Sequence, residues 1–471
     1  MMTATAKTSN ADESTPVPAT RRLLLVAYNF PPVGGAGVQR PVKWVKNLRQ
    51  LGWDVTVLTT ENASVPTRDE SLLADIPDDV LVLRARTWEP DYRTKQGLVQ
   101  SESSGNPGIV SRIKSGLKGL VKQAVKLALQ PDPQVLWVPN ALKVGRRVLR
   151  ELHHDAVLVT APAYSSFFIG TALKREFGLP LILDFRDEWD MSGRYLENAQ
   201  RDWFSRSVQH RMQNYVLRRA DAVVATTKAS TANLAEKLAL IGRTATRTET
   251  IYNGFDEEDF ADISPSVQSP HQSNSHFRLV YTGTLWNLTT IEPLVHAIMA
   301  LHVRAPQLVS KLELVCVGRK TPEQSKILAR LNDTGCRLEL IDYCDHTKVL
   351  DWLRSTDAVC LLLSDVIGAE RVVPAKLFEY LAIRKDLLAI VPRGETADIV
   401  RRYFPQGQIE PQNVNGIADW IESRLSGALS SAVDARNDIH EYSRLTQTRH
   451  LVKTLEHLVQ DRTPQGGKAA P

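Results

Sequence analysis

The chain has 471 residues, 43% hydrophobic and 24% charged, with 58 Lys and Arg against 53 Asp and Glu for a formal net charge of +5. At roughly 100 to 200 residues per domain this describes an ordinary globular protein of two or three domains, and it excludes a collagen, a disulfide miniprotein and a fully disordered chain. The small positive surplus gives no reason to expect nucleic acid as a partner, so any basic site has to be local.

The first twenty residues are rich in Ala, Thr, Ser and Pro and lack a basic start with an apolar core. They read as a disordered tail, 1–20, and not as a signal peptide. No apolar run approaches the ~18 residues that a membrane span requires. From Arg21 onward short apolar runs (RRLLLVAY, WDVTVLTT, VLVLRA, DAVLVTA, LPLILDF, DAVVATT) alternate with amphipathic segments such as Val38 to Leu51 and Arg201 to Ala220. Strands buried on both faces in alternation with helices are the signature of a doubly wound parallel sheet, here a first Rossmann-like domain over 21–252. The rhythm stops at ETIYNGFDEEDF, Glu249 to Phe260, and a Ser, Pro, Gln and Asn-rich stretch follows, which places an interdomain linker at 253–276. It restarts with FRLVYTG at Phe277 and continues through KLELVCVG, CRLELIDY, DAVCLLLS and DLLAIVP, giving a second domain of the same α/β class over 277–440. Helix is expected to about Gln460, with a terminal helix at 441–460 and a polar tail at 461–471. Cys316, Cys336, Cys344 and Cys360 include no C-x-x-C pair and read as reduced thiols of a cytoplasmic protein. Two such domains in tandem leave a cleft, where ligands usually bind.

Three stretches carry chemistry. The first strand runs into NFPPVGGAGVQR, Asn29 to Arg40, a Gly-rich turn that opens a helix. Its free N–H groups and the helix dipole suit a phosphate or a polar sugar; the alternative is a turn that only lets the helix pack closely. Arg40 stands where the dinucleotide fingerprint needs glycine, so this is not an NAD site. GLPLILDFRDEWD brings Asp184, Arg186, Asp187, Glu188 and Asp190 to the carboxyl end of a buried strand. These carboxylates bind sugar hydroxyls or serve as a base, or else form a structural ion-pair network; no His or Cys completes a metal set. In ERVVPAKLFEYLAIRKDLLAIVP, Glu370 to Pro392, Lys376 lies in the first turn of a helix and Glu379 follows almost one turn later. A cation for a diphosphate beside a carboxylate for a ribose diol suits a nucleotide-sugar; the alternative is an ordinary surface pair.

Taken together and in this order, FPPVGGAGVQR, DFRDEW, IYNGFDEEDF, TGTLW and VPAKLFEYLA resemble the family-4 glycosyltransferases of GT-B architecture, in a branch typical of bacterial surface-polysaccharide assembly. The resemblance implies two Rossmann-like domains facing a cleft, an acceptor on the first and a UDP- or GDP-sugar on the second. It further implies retention of configuration, no metal, and no cofactor beyond the nucleotide-sugar co-substrate. Gly34, Gly35, Gly37, Arg40, Asp184 and Arg186 would serve the acceptor side. Gly283, Thr284, Arg319, Arg371, Lys376, Leu377 and Glu379 would serve the donor, and Lys376 and Asp187 would act in catalysis. The terminal helix would cross back onto the first domain.

The sequence also departs from the family pattern. The first of the family's paired glutamates would fall at Arg371, one residue after Glu370. After Gly283 the chain reads Thr284, Leu285, Trp286, Asn287, Leu288 and lacks the Arg and Lys that many relatives carry. Phe167 and Phe168 stand where relatives often have an acceptor-side His. An epimerase or hydrolase of nucleotide-sugars on the same fold, or a catalytically silent binding protein, are the competing readings. Lastly, Ser111 to Gln130 (111–130) carries Arg112, Lys114, Lys118, Lys122 and Lys126 with no acid, and Ile113, Leu117, Leu120, Ala124 and Leu127 share one helical face. Such a helix either lies on anionic lipid, which would put the protein at the inner face of the membrane with a lipid-linked acceptor, or packs on its own domain.

Overall fold

The structure, a computed structural model, describes residues 21–65, 68–90, 128–191, 203–261, 276–427 and 439–461. The tail expected at 1–20, all but the first residue of the tail expected at 461–471, all but the last three residues of the basic stretch over 111–130 and most of the linker lie outside the described residues.

Thirteen strands in the described residues form two sheets. β1 (Arg21–Ala27), β2 (Trp53–Thr60), β3 (Leu81–Ala85), β4 (Ala156–Ala161), β5 (Leu181–Phe185), β6 (Ala222–Ala225) and β7 (Arg247–Thr250) pair in the order β3-β2-β1-β4-β5-β6-β7. β8 (Phe277–Thr282), β9 (Leu312–Val317), β10 (Arg337–Ile341), β11 (Ala358–Leu362), β12 (Asp386–Ile390) and β13 (Gln408–Ile409) pair in the order β10-β9-β8-β11-β12-β13. All pairs are parallel. The expected fold class holds: these are two doubly wound Rossmann-like domains. Alternation within β1 shows why its run is apolar throughout, because Leu23 and Leu25 enter one core and Leu24 and Val26 the core on the opposite face. In β9, Leu312, Leu314 and Cys316 face one side of the second sheet and Val315 and Val317 the other. Each such side chain contributes about 1.5–3 kcal/mol of burial. β7 and β13 were not anticipated; both are short edge strands, largely half-buried and without an apolar run.

The helices that matter for the site are α1 (Ala36–Gln50), α2 (Val138–Glu151), α3 (Lys228–Leu240), α4 (His346–Arg354), α5 (Lys376–Ile383), α6 (Glu395–Tyr403) and α7 (Arg444–Gln460). Helix α7 returns to the first domain. Ile439 and Tyr442 just before it sit in the core of the second domain, whereas Leu451 and Leu455 pack with Val42, Val45 and Leu48 of α1. Gln447 Oε1 accepts the Tyr252 N–H at 2.7 Å and Asn47 Nδ2 donates to Thr448 Oγ1 at 3.3 Å. Strand order reverses between β1 and β4 and between β8 and β11, and the crevices beyond the carboxyl ends of those strands are where such sheets bind ligands. Among the described residues no helix is long and apolar enough to cross a membrane.

Candidate functional site

Lys376 is the organising side chain. Pro374 precedes α5, the Leu377 N–H bonds to the Pro374 carbonyl at 3.0 Å, and the helix proper begins at Lys376. The helix is locked to the end of β8 by Tyr380, whose hydroxyl accepts from the Thr282 N–H at 3.1 Å and pairs with Thr282 Oγ1 at 3.0 Å. Lys376 Nζ consequently reaches Tyr281 Oη at 3.0 Å and lies 4.2 Å from the centre of that ring. Gly283 lies directly beneath: its φ is +121° and a Cβ there would run into Nζ, so glycine leaves the ammonium uncovered from below. Burial pushes the Lys376 ammonium down to about 8, with the charge of Glu379 opposing that shift. A cation that is costly to bury and sits beside a helix N-terminus has the makings of an anion site.

The space over Lys376 is a cavity of about 190 Å³ shared by both domains, with Thr282, Gly283, Gly318, Lys376 and Glu379 on one wall and Gly35, Gln39 and Asp69 on the other. His346 and Arg444 bridge the walls. His346 Nε2 faces Asp259 at 3.2 Å and its Nδ1 faces Gln39 Nε2 at 3.2 Å, while Arg444 Nη2 donates to Gln39 Oε1 at 2.5 Å. Arg444 also stands 3.9 Å from the Glu379 carboxylate. Burial works against charging His346, but the hydrogen bond to Asp259 and the charges of Glu379 and Asp259 outweigh it and hold its pKa above the usual value.

A second cavity of about 260 Å³ lies farther along the same cleft, with Met191, Leu288, Val372 and Val373 as apolar walls and Arg186, Asp187, Glu188 and Arg371 as its charges. Arg186 pairs with Asp187 at 2.9 Å and its guanidinium covers Gly37, where any Cβ would collide with it. Arg371 Nε crosses from the second domain to Glu188 of the first at 2.9 Å, and Nη1 meets Glu370 at 3.0 Å. The carbonyl of Arg371 accepts from Thr227 Oγ1 at 2.9 Å. Beside it the Glu395 carboxylate takes the N–H groups of Lys228 and Ala229, both at 2.9 Å, so a carboxylate of one domain caps helix α3 of the other. These bonds fix the width of the cleft.

A family model described as a glycosyl transferase 4-like domain matches residues 34–254, which covers the Gly-rich turn and the Arg186–Asp187 corner. The first domain is a glycosyl transferase 4-like domain. No curated protein sequence matches the chain significantly. Among solved structures the chain is similar to HepE of Anabaena in complex with UDP and glucose, with a TM-score of 0.59 and 14% identity over 93% of this chain and 100% of that one. It is similar also to a sucrose-phosphate synthase from Thermosynechococcus elongatus (TM-score 0.57, 13% identity, 94% of this chain and 100% of that one). A third is a glycosyltransferase from Rickettsia africae (TM-score 0.55, 13% identity, 94% of this chain and 99% of that one). The shared architecture is GT-B, and the family-4 resemblance carried by the motifs is borne out.

The residues singled out in the sequence separate into two groups. Gly35, Gly283, Lys376 and Glu379 line the first cavity and Arg186, Asp187 and Arg371 the second, while Gly34 lies in the turn against Tyr343 and Asp69 and Gly37 in the first turn of α1 against Arg186. Arg40 and Asp184 were expected to face the acceptor and do not. They form a bidentate ion pair at 2.9 and 3.2 Å with side chains 3% and 0% exposed, closed further by Thr160 Oγ1 and the carbonyls of Ile251 and Tyr252. The charge is satisfied inside the domain, so the pair is structural. Leu377 is corrected as well, since its side chain is fully buried in the core of the second domain. Thr284 and Arg319 remain outside the lining of both cavities: the bridge between Leu285 and Lys320 joins these two loops and leaves Thr284 and Arg319 exposed beside it. Gln39, His346 and Arg444 were missed. Gln39 sits inside the Gly-rich motif, but nothing local in the sequence ties it to residues some three and four hundred positions away.

Proposed function

We propose that the protein transfers a sugar from a UDP- or GDP-sugar to a saccharide or lipid-linked glycan held by the first domain, with retention of configuration, in surface polysaccharide or glycoconjugate assembly. The observation that carries this reading is Lys376 Nζ poised over Gly283 in a cavity whose far wall is Gly35 of the glycosyl transferase 4-like domain. That HepE, of the same fold, was solved with UDP and glucose supports a nucleotide-sugar as donor. In this reading the diphosphate lies against Lys376 and the N-terminus of α5, and Glu379 accepts from the ribose hydroxyls. The transferred sugar reaches toward Arg371, and the acceptor comes in beside Arg186 and Asp187. The bond from the anomeric carbon to the phosphate oxygen breaks while a bond from the acceptor oxygen forms on the same face, and the acceptor's proton passes to the departing phosphate oxygen. What the protein supplies is charge stabilisation and orientation, with Lys376 in the role a metal would otherwise fill. The basic stretch over 111–130 supports a cytoplasmic site of action at the inner face of the membrane.

Lys376 makes the reading testable by pH. Only the ammonium form stabilises the diphosphate, which is itself fully ionised above neutrality. Binding raises the lysine's pKa from about 8, so the affinity for a nucleoside diphosphate is expected to be level below pH 8. Above that it weakens by about tenfold per pH unit until the pKa of the bound state is reached. Calorimetric titration of UDP and GDP between pH 7 and 9.5 reads this directly, and an affinity flat across that range sinks the role given to Lys376.

A further inference from the structure

A third cavity lies at the outer edge of the first sheet. It is a groove of about 810 Å³ between the end of the edge strand β3 and helix α2, lined by Arg84, Arg86, Lys143, Arg147 and Arg150 against one acid, Glu151. The strand side follows from alternation, since Arg84, Arg86 and Trp88 are exposed while Ala85 and Thr87 between them are buried. On α2, Ala141, Gly145 and Val148 face the core and Lys143, Arg147 and Arg150 form a stripe on the open side. Arg150 shares Glu176 with Arg146, at 2.9 Å, whereas the side chains of Arg86, Lys143 and Arg147 have no hydrogen bond or ion pair among the described residues. For a chain with a net charge of only +5 this is a strong local concentration, and a concave wall of one sign focuses its field outward.

Two observations say what fits there. The groove reaches the Gly-rich turn that forms the first domain's wall of the cleft, because Arg84 Nη2 donates to the carbonyl of Pro31, at the start of that turn, at 2.8 Å. From there it follows α2 toward its last turn, roughly 10 Å from Lys143 to Arg150 at 1.5 Å per residue. A concave site whose cations run along one helix suits a linear chain better than a flat bilayer. The guanidinium groups offer paired donors for carboxylates or phosphates, and Trp88, 62% exposed, lies beyond the lining, two residues past Arg86 on the same side of the chain, where its indole is open to a sugar ring. We propose that this groove holds the distal part of an acidic glycan acceptor, so that the acceptor is a linear saccharide bearing carboxylate or phosphate groups. The proposal rests on the glycosyltransferase reading of the cleft.

The probe is a linear oligogalacturonate, titrated into the full chain and into the Lys143→Ala/Arg147→Ala and Arg86→Ala variants, with neutral maltohexaose as control and UDP titrated into each protein. The expected result is saturable binding of the oligogalacturonate by wild type, weakened at least about tenfold in the variants, no binding of maltohexaose, and unchanged UDP affinity. Equal oligogalacturonate affinity in wild type and variants, or none in either, overturns the proposal. So does equal binding of a single-stranded oligonucleotide of the same charge, which makes the groove a generic polyanion site. Sedimentation with phosphatidylglycerol vesicles that depends on Lys143 and Arg147, without oligogalacturonate binding, assigns the groove to membrane instead. Bound UDP without bound glycan contradicts only the groove, whereas absence of UDP binding contradicts the function on which it rests.

Discussion

Asp184→Ala is expected to destabilise the protein by about 3–5 kcal/mol, because it leaves the Arg40 guanidinium buried without its counter-charge. Arg40 is 3% exposed in its side chain and cannot turn to water. Its Nη1 keeps the carbonyls of Ile251 and Tyr252, but these partial charges do not replace a carboxylate that met Nε and Nη2 together. Urea unfolding should show a midpoint shifted well to lower denaturant, and thermal unfolding a drop of roughly 6–15 °C. Replacing both partners by apolar residues, Arg40→Met with Asp184→Leu, should recover most of the loss, since what costs most is the orphaned charge. An Asp184→Ala protein that unfolds like wild type would mean that the pair is not structural.

Lys376→Met should do the opposite, stabilising the fold while removing function. The folded-state pKa of about 8 lies below the ordinary lysine value of 10.5, so between these pH values the unfolded chain binds more protons than the folded one. Stability therefore rises with pH through that window, and below pH 8 the buried ammonium exerts its full destabilising effect. Methionine is an unbranched apolar side chain that carries no charge, at the cost of the hydrogen bond to Tyr281 Oη. Scanning calorimetry at pH 7 should show Tm raised by roughly 2–4 °C, about 1 kcal/mol, with the gain fading toward pH 10. Turnover of the donor should fall on the order of 10²-fold, the usual loss when one electrostatic stabiliser is removed. A lowered Tm would show that Lys376 supports the fold and is not held there at a cost in stability.

The two sheets were legible because a parallel strand covered on both faces has to be apolar at every position, as LLLVA of β1 and LVCV of β9 are. The edge strands β7 and β13 escaped notice because one flank is open and no such run is required. Lys376 and Glu379 were legible as a cation and a carboxylate at the start of one helix, and the structure brings both to the same cavity. Arg40 and Asp184 misled because an Arg beside a Gly-rich turn and an Asp at a strand's carboxyl end look the same in sequence whether they face a ligand or each other. Proximity across 144 residues decided it. Arg444, His346 and Gln39 were beyond reach for the same reason: His346 and Arg444 lie 307 and 405 positions from Gln39 and meet it only where the two domains face each other. The basic groove was hidden by spacing, since Arg84 and Arg86 come from a strand and Lys143, Arg147 and Arg150 from a helix more than fifty residues later.

Lys376 and its surroundings are the proposed seat of a nucleotide-sugar's diphosphate. Calorimetric titration of UDP, GDP and ADP into wild type and Lys376→Ala tests that most directly. UDP or GDP should bind wild type at one site per chain with micromolar affinity, and Lys376→Ala should weaken it about 10- to 100-fold, the usual range for one charge-assisted contact. Should none of the three bind wild type, or should Lys376→Ala bind as tightly as wild type, the donor site does not lie at Lys376.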